Sequence, residues 1–195
     1  MNQKKFLKPV IIVVAVVVIG ALSMLVNALN QDKPPKLSLN GTELDLASLK
    51  LKDLNAAGFN MKNNHNKLEG ETFYEMRAYY WGENFDISMG GISLLNRRSS
   101  SVEYADCEIF EISAKSRDND GNLTGLQVTY NGEEVFGKTK AELTALFGEP
   151  SKELTPDKTV YYTKRNQYST YFYFDSKTEE CYLVEIHRRE KGLVR

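Results

Sequence analysis

Few residues along this chain could carry out acid–base, nucleophilic or metal chemistry. Its 195 residues include two histidines: His65 lies in a run of asparagines, and His187 ends an apolar stretch. Neither histidine has a neighbour at the spacing of a metal site, and no serine–histidine–aspartate pattern is readable. We therefore expect both histidines to be solvated, and we predict no catalytic residue, no cofactor and no metal.

Cys107 and Cys181 are the only two cysteines, and each precedes a similar strand-like segment that ends in Glu-Ile. In an oxidising compartment such a pair tends to form a disulfide. Equivalent points on two repeats are often farther apart than the roughly 7 Å that a bridge allows between Cα atoms. A bridge is feasible if the repeats pair around a pseudo-twofold axis, so a disulfide and two free thiols both remain open.

The run Asp118-Asn-Asp-Gly121 contains residue types that occur in calcium loops. An EF-hand loop places its glycine at position 6 and a glutamate at position 12, and here the glycine follows sooner. Asp-Gly is a preferred pair for a tight hairpin turn. We predict a hairpin loop that joins the two halves of the chain.

The charge distribution argues against nucleic acid as a partner. Residues 1–29 contain Lys4, Lys5 and Lys8 and no acid, and the rest of the chain holds 22 basic and 26 acidic residues. A mildly acidic domain lacks the basic stripe that phosphate backbones require.

The apolar run from Pro9 to Leu29 carries no charge and is predicted to form a transmembrane helix, because about 20 residues span a bilayer core. Basic residues on its N-terminal flank place that end in the cytoplasm. The alternative is a signal peptide cleaved after Ala28, which would make the chain a secreted protein. In both cases residues 30–195 are expected to be extracytoplasmic.

Two stretches show the same order of signals, which predicts a tandem repeat. Asn40-Gly41 and Asn131-Gly132 are each flanked by alternating apolar residues, the strongest short signal for a β-hairpin. Each is followed by a short helical stripe, which ends at Gly58 in the first copy and at Gly148 in the second, and then by aromatic strands. The extra length of the first copy is expected in a loop over residues 90–101.

The helix of the second copy has the clearer boundaries. Thr139 is its predicted N-cap, and Glu142 three residues later completes a capping box. Gly148 ends the helix and Pro150 prevents its continuation. In the first copy the N-cap is Ser48 or Asp45.

The segment from residue 137 to 150 resembles the helix-then-sheet repeat of the β-lactamase-inhibitor-protein-like superfamily, and is similar to the SmpA/OmlA-type outer-membrane-assembly lipoproteins. The matching positions are Gly137, Thr139, Glu142, Leu143, Phe147, Gly148 and Pro150. The first copy lacks the proline and matches weakly. The layout also resembles exported proteins of Gram-positive bacteria. The resemblance implies a non-enzymatic binding module, in a family whose partners are too diverse to carry over.

Aromatic residues fall on both faces of the predicted strands. Phe172 and Phe174 are expected to face the core, so Tyr171 and Tyr173 would lie on the opposite face. Exposed tyrosines on a rigid sheet provide a large contact area. The candidate partner-binding residues are Tyr79, Trp81, Tyr171 and Tyr173. The alternative is that tyrosine simply suits exposed strand positions.

These signals predict an α+β fold: an N-terminal transmembrane helix followed by two related repeats, each a short helix packed on a twisted antiparallel sheet. The predicted divisions are a cytoplasmic tail (1–8), the transmembrane helix or uncleaved signal anchor (9–29), a linker (30–36), and two repeats (37–117 and 118–195).

The predicted function is a membrane-anchored extracytoplasmic binding or assembly module without catalysis, which engages a protein partner through an exposed sheet face. One alternative is the sensory or regulatory ectodomain of an envelope system. Another is an envelope hydrolase, which the two isolated histidines disfavour.

Overall fold

The structure, a computed structural model, describes residues 33–60, 66–71, 73–81, 88–118, 120–163 and 167–189. Within these ranges it contains fourteen strands, two short α-helices and one turn of 3₁₀-helix. In chain order the elements are β1 (Leu37–Leu39), β2 (Thr42–Leu44), α1 (Leu51–Ala56), β3 (Phe59–Asn60), β4 (Lys67–Leu68), β5 (Phe73–Trp81), β6 (Ser88–Leu95), β7 (Val102–Glu103), the 3₁₀ turn (Tyr104–Asp106), β8 (Glu108–Lys115), β9 (Val128–Tyr130), β10 (Glu133–Glu134), α2 (Lys140–Phe147), β11 (Lys152–Thr155), β12 (Lys158–Tyr162), β13 (Tyr168–Phe174) and β14 (Cys181–Arg188).

The strands form three antiparallel sheets. The large sheet has eight strands in the order β11-β12-β13-β14-β8-β6-β5-β3, the small sheet has four in the order β10-β9-β1-β2, and β4 pairs with β7. Strands from the two halves of the chain meet in both larger sheets, where β8 pairs with β14 and β1 pairs with β9. Each of these sheets is therefore shared between the two halves.

The predicted α+β class is wrong, because the described chain is mostly β. Its two α-helices have six and eight residues, and strands of the two halves join instead of forming a separate sheet for each helix. A sheet that ended at β8 or at β14 would leave a row of unpaired backbone groups at a free edge. Pairing these two strands satisfies those groups. The division into residues 37–117 and 118–195 stays a prediction.

Neither α-helix in the described part of the chain could cross a membrane. The longer, α2, has eight residues, and a bilayer span needs about 20. This finding contradicts the predicted single-pass membrane protein, and with it the membrane partner and the cell-membrane location. The predicted tail (1–8) and transmembrane helix (9–29) lie outside the described residues.

The two Asn-Gly hairpins are confirmed. Asn40 and Gly41 have φ angles of 47° and 80°, and Asn131 and Gly132 have 51° and 91°, as a type I′ turn requires. The asparagine side chains also connect the two hairpins by hydrogen bonds. The Oδ1 atom of Asn40 accepts a hydrogen bond from the backbone N–H of Gln127 at 2.8 Å, and that of Asn131 accepts one from Lys36 at 3.0 Å.

The capping box of α2 is confirmed. The backbone N–H of Thr139 donates to the Glu142 carboxylate at 2.8 Å, and the Glu142 N–H donates to the Thr139 hydroxyl at 3.4 Å. Helix α1 begins differently, because its N-cap is Lys50 and not Ser48 or Asp45. Asp45 instead accepts hydrogen bonds from Ala47 and Ser48 in the turn before the helix.

The predicted loop over residues 90–101 is wrong in its first half, because residues 90–95 belong to β6. This strand lies inside the large sheet, between β5 and β8. Backbone hydrogen bonds on both edges offset the poor strand propensity of Gly90 and Gly91. The side chains of Ile92 and Leu94 are buried in the core.

One face of the large sheet forms the core. On β13 the buried residues alternate with half-buried ones, and buried Phe172 and Phe174 join buried residues of β8 and β14 in one cluster. Both α-helices and the small sheet contribute to the same cluster, through Leu54, Leu143 and Val128 among others. The helices and the small sheet therefore pack on this core face.

Candidate functional site

The opposite side of the large sheet, over β12, β13, β14 and β8, is called the outer face here. The antiparallel register places Tyr171 beside Glu185 and Glu185 beside Ser113. It places His187 beside Glu111 in the next row. The outer-face side chains in these two rows and their neighbours are Lys158, Tyr171, Tyr173, Glu185, His187, Glu111 and Ser113. None of them belongs to the core cluster.

Glu185 is at the centre of a polar network on the outer face. The Tyr173 hydroxyl donates to Glu185 Oε2 at 2.5 Å, and the His187 Nε2 atom lies 2.8 Å from Glu185 Oε1. Burial alone would raise the pKa of Glu185, but the adjacent His187 imidazole and the hydrogen bond donated by the Tyr173 hydroxyl outweigh burial and lower it. Glu185 is therefore ionised at neutral pH.

Tyr173 stays protonated in this environment. Burial raises the pKa of its hydroxyl, and the hydrogen bond to the Glu185 carboxylate raises it further, since losing the proton would place two negative charges in contact. The hydroxyl is therefore a permanent donor that fixes one oxygen of Glu185.

His187 contacts both carboxylates of the network. Its Nε2 atom is 2.8 Å from Glu185 Oε1 and 3.7 Å from Glu111 Oε1. The shorter distance suits an ion pair, yet Nε2 is buried and makes no hydrogen bond. The Tyr171 ring packs on the imidazole, with 4.9 Å between the two ring centroids.

Glu111 completes the group from the neighbouring strand. The Ser93 hydroxyl donates to Glu111 Oε2 at 3.2 Å, which leaves Oε1 as the atom nearest to His187. The side chains of Glu111, Glu185 and His187 are 12%, 18% and 21% exposed. One candidate ligand atom from each lies within 4.8 Å of the others, so these three residues could hold a metal ion.

Lys158 lies over the two tyrosine rings of the outer face. Its Nζ atom is 4.6 Å from the centroid of Tyr171 and 4.3 Å from that of Tyr173, within the range of a cation–π interaction. The lysine and the tyrosines therefore form one half-buried surface beside the Glu185 network.

The structure brings together two of the four predicted partner-binding residues. Tyr171 and Tyr173 lie on the outer face, two residues apart on β13. Tyr79 and Trp81 belong to β5, and their side chains lie outside the described part of the structure. His65 also lies outside the described residues.

Cys107 and Cys181 are both free thiols and both buried. Strands β8 and β14 are antiparallel, with Lys115 opposite Leu183, so the two cysteines lie at opposite ends of the pair. Ten residues of strand separate them, which is roughly 30 Å at 3.3 Å per residue. A disulfide within one chain would need Cα atoms within about 7 Å.

The native thiols should resist labelling. Burial raises the pKa of Cys107, and it raises that of Cys181 to about 12; the nucleophilic thiolate is therefore scarce at pH 8. We expect no reaction with Ellman's reagent in the native protein and two thiols per chain after unfolding in guanidinium. Rapid reaction of either native thiol at pH 8 would contradict this placement.

Sequence reasoning missed the group formed by Glu111, Glu185 and His187, and it assigned His187 to a solvated surface. Two signals could have found the group. Glu185 and His187 are two residues apart, so they share one face of a strand, and Glu111 occupies the position in the first half that matches Glu185 in the second. The register between β8 and β14 brings Glu111 next to His187, and this register could not be predicted from the sequence.

The Glu185 network therefore combines carboxylate oxygens, an imidazole nitrogen and a tyrosine hydroxyl beside an aromatic surface. Neither a protein-family model, nor a curated protein, nor a solved structure matches this chain.

Proposed function

We propose that the chain is a binding module without catalysis that engages a protein partner through the outer face. The observation that supports this proposal is the surface formed by Tyr171, Tyr173 and Lys158. All three side chains are half-buried, and in the described part of the chain the helices and the small sheet pack on the other side of the sheet.

This surface has the composition of a protein contact. Tyrosine supplies a large contact area with few rotatable bonds, and it is enriched among residues that dominate binding energy. The rings are held in place by contacts with Lys158, His187 and Glu185. A surface held in one conformation loses little side-chain entropy on binding.

The charges on the surface indicate the chemistry of the partner. The row of side chains across the sheet reads Lys158, Tyr173, Leu183 and Lys115, with a lysine at each end and apolar area between. We infer a partner segment that carries apolar side chains flanked by carboxylates. The resemblance of residues 137–150 to a β-lactamase-inhibitor-like repeat stays a prediction, and it would agree with a non-enzymatic module.

The double substitution Tyr171→Ala plus Tyr173→Ala tests the proposed surface. A photo-crosslinking residue placed at position 171 should capture a partner from the native host, and purified partner should bind the wild-type chain. We expect the double variant to weaken that binding at least 10-fold, since it removes two central aromatic contacts.

Leu146→Ala is the matched control. Leu146 is 43% exposed on α2, on the opposite side of the sheet, so its loss removes exposed apolar area away from the outer face. Circular dichroism would check that each variant is folded. Equal affinity of the folded double variant and the wild type would rule out the outer face as the binding surface.

A further inference from the structure

We propose that Glu111, Glu185 and His187 form a binding site for one divalent transition-metal ion. The site lies on the outer face but does not depend on the proposed protein partner, because its ligands all come from β8 and β14 of this chain.

The spacing of the ligand atoms fits a single ion. The Nε2 atom of His187 is 2.8 Å from Glu185 Oε1 and 3.7 Å from Glu111 Oε1, and one candidate ligand atom from each of the three residues lies within 4.8 Å of the others. Metal–ligand bonds of about 2.0–2.2 Å place neighbouring ligand atoms about 3–3.6 Å apart. Small side-chain rotations are therefore enough to bring the three atoms around one ion.

The Nε2 atom of His187 provides an independent reason to expect a ligand. It is buried in the described structure and makes no hydrogen bond, which is costly for a polar atom. In neutral imidazole the ring nitrogen without a hydrogen carries a lone pair, which can bind a metal ion. A cation beside the two carboxylates would satisfy this nitrogen.

Neighbouring side chains hold the three proposed ligands in place. The Tyr173 hydroxyl binds Oε2 of Glu185 and the Ser93 hydroxyl binds Oε2 of Glu111, so in each carboxylate the other oxygen is the one nearest to His187. The Tyr171 ring packs against the imidazole. Metal sites in proteins depend on such supporting contacts to orient their ligands.

The ligand set indicates the class of metal. Two carboxylates and one neutral imidazole supply two negative charges, which a divalent ion balances. Imidazole suits zinc and other transition metals, whereas magnesium and calcium prefer oxygen ligands alone. The three half-buried side chains leave further coordination positions for water.

Zinc titration of the full chain tests the site. Protein treated with EDTA and dialysed would be titrated with Zn²⁺ in competition with a chromophoric chelator, and in parallel with Mg²⁺. We expect one Zn²⁺ per chain, a higher melting temperature with Zn²⁺, and no saturable binding of Mg²⁺.

Three variants locate the ion. His187→Gln and Glu185→Gln each remove a ligand and should raise the zinc dissociation constant about 100-fold. Tyr173→Phe removes only a supporting hydroxyl and should raise it about 10-fold, with the 1:1 stoichiometry retained. His65→Gln is the matched control, since it removes the other histidine of the chain, and its affinity should equal that of the wild type.

Two results would overturn the proposal. One is the absence of saturable Zn²⁺ binding by the folded wild-type chain. The other is unchanged affinity in folded His187→Gln, which would show an adventitious ion only. Because no partner protein enters the titration, neither result bears on the proposed protein-binding surface.

Discussion

Replacing Phe172 by alanine should lower the free energy of unfolding by about 3–5 kcal/mol, the usual cost of deleting a buried phenylalanine ring. Phe172 is fully buried, and its ring centroid lies 5.3 Å from that of Tyr130, 5.5 Å from Tyr161 and 6.0 Å from Phe147. The cavity would therefore open in the middle of an aromatic cluster.

The loss of stability should be measurable in both halves of the chain. Trp81, the single tryptophan, belongs to β5 in the first half, whereas Phe172 lies in the second. Because the two halves share both larger sheets, we expect one cooperative transition. Denaturant midpoints from Trp81 fluorescence and from far-UV circular dichroism should fall together.

Tyr171→Ala is the control for this prediction, since it removes the neighbouring aromatic ring from the outer face of the same strand. A half-buried site loses less on truncation, and we expect a cost of about 1 kcal/mol. An unchanged Trp81 midpoint in Phe172→Ala would show that the halves unfold independently.

The substitution Ile186→Asp should abolish the folded state at neutral pH. Ile186 is buried on β14, directly opposite buried Ile112 on β8, and Arg188, the cation that lines the same small cavity, is already paired with Glu108. An unpaired buried charge costs more than about 4 kcal/mol, a large part of the 5–15 kcal/mol that stabilises a typical domain. Loss of the cooperative thermal transition would be the measurement.

Leu183→Asp on the same strand is the matched control. Leu183 is half-buried on the outer face, opposite Lys115, so the new carboxylate would face a lysine and water. We expect this variant to fold with a cost below about 1 kcal/mol. An equal loss of stability from Ile186→Asp and Leu183→Asp would contradict the assignment of these residues to opposite faces of the sheet.

Local signals in the sequence predicted local structure well. The two Asn-Gly turns were readable because positive φ at two consecutive positions selects these residue types. The α2 boundaries were readable because Thr139 and Glu142 satisfy each other's backbone groups. The alternation along β13 correctly placed Phe172 in the core and Tyr171 on the other face.

Long-range pairing was not predictable in the same way. No local signal states that β8 pairs with β14, and the prediction of a separate sheet for each half failed at that point. The same register brings Glu111 to Glu185 and His187, so the candidate metal site was missed for the same physical reason. Strand β6 was partly missed because its glycines are stabilised by neighbours on both edges.

The joining of the two halves through β8–β14 and β1–β9 has a consequence for the order of synthesis. When the first half has left the ribosome, β8 and β1 still lack the partners that the later half supplies. Both strands then present unpaired edges, which promote association between nascent chains. Because these pairings are distant in sequence, we expect folding to be slow compared with helical proteins of similar size. Synthesis of β14, the last strand in the described part of the chain, therefore joins the two parts of the large sheet, because β14 lies between β13 and β8.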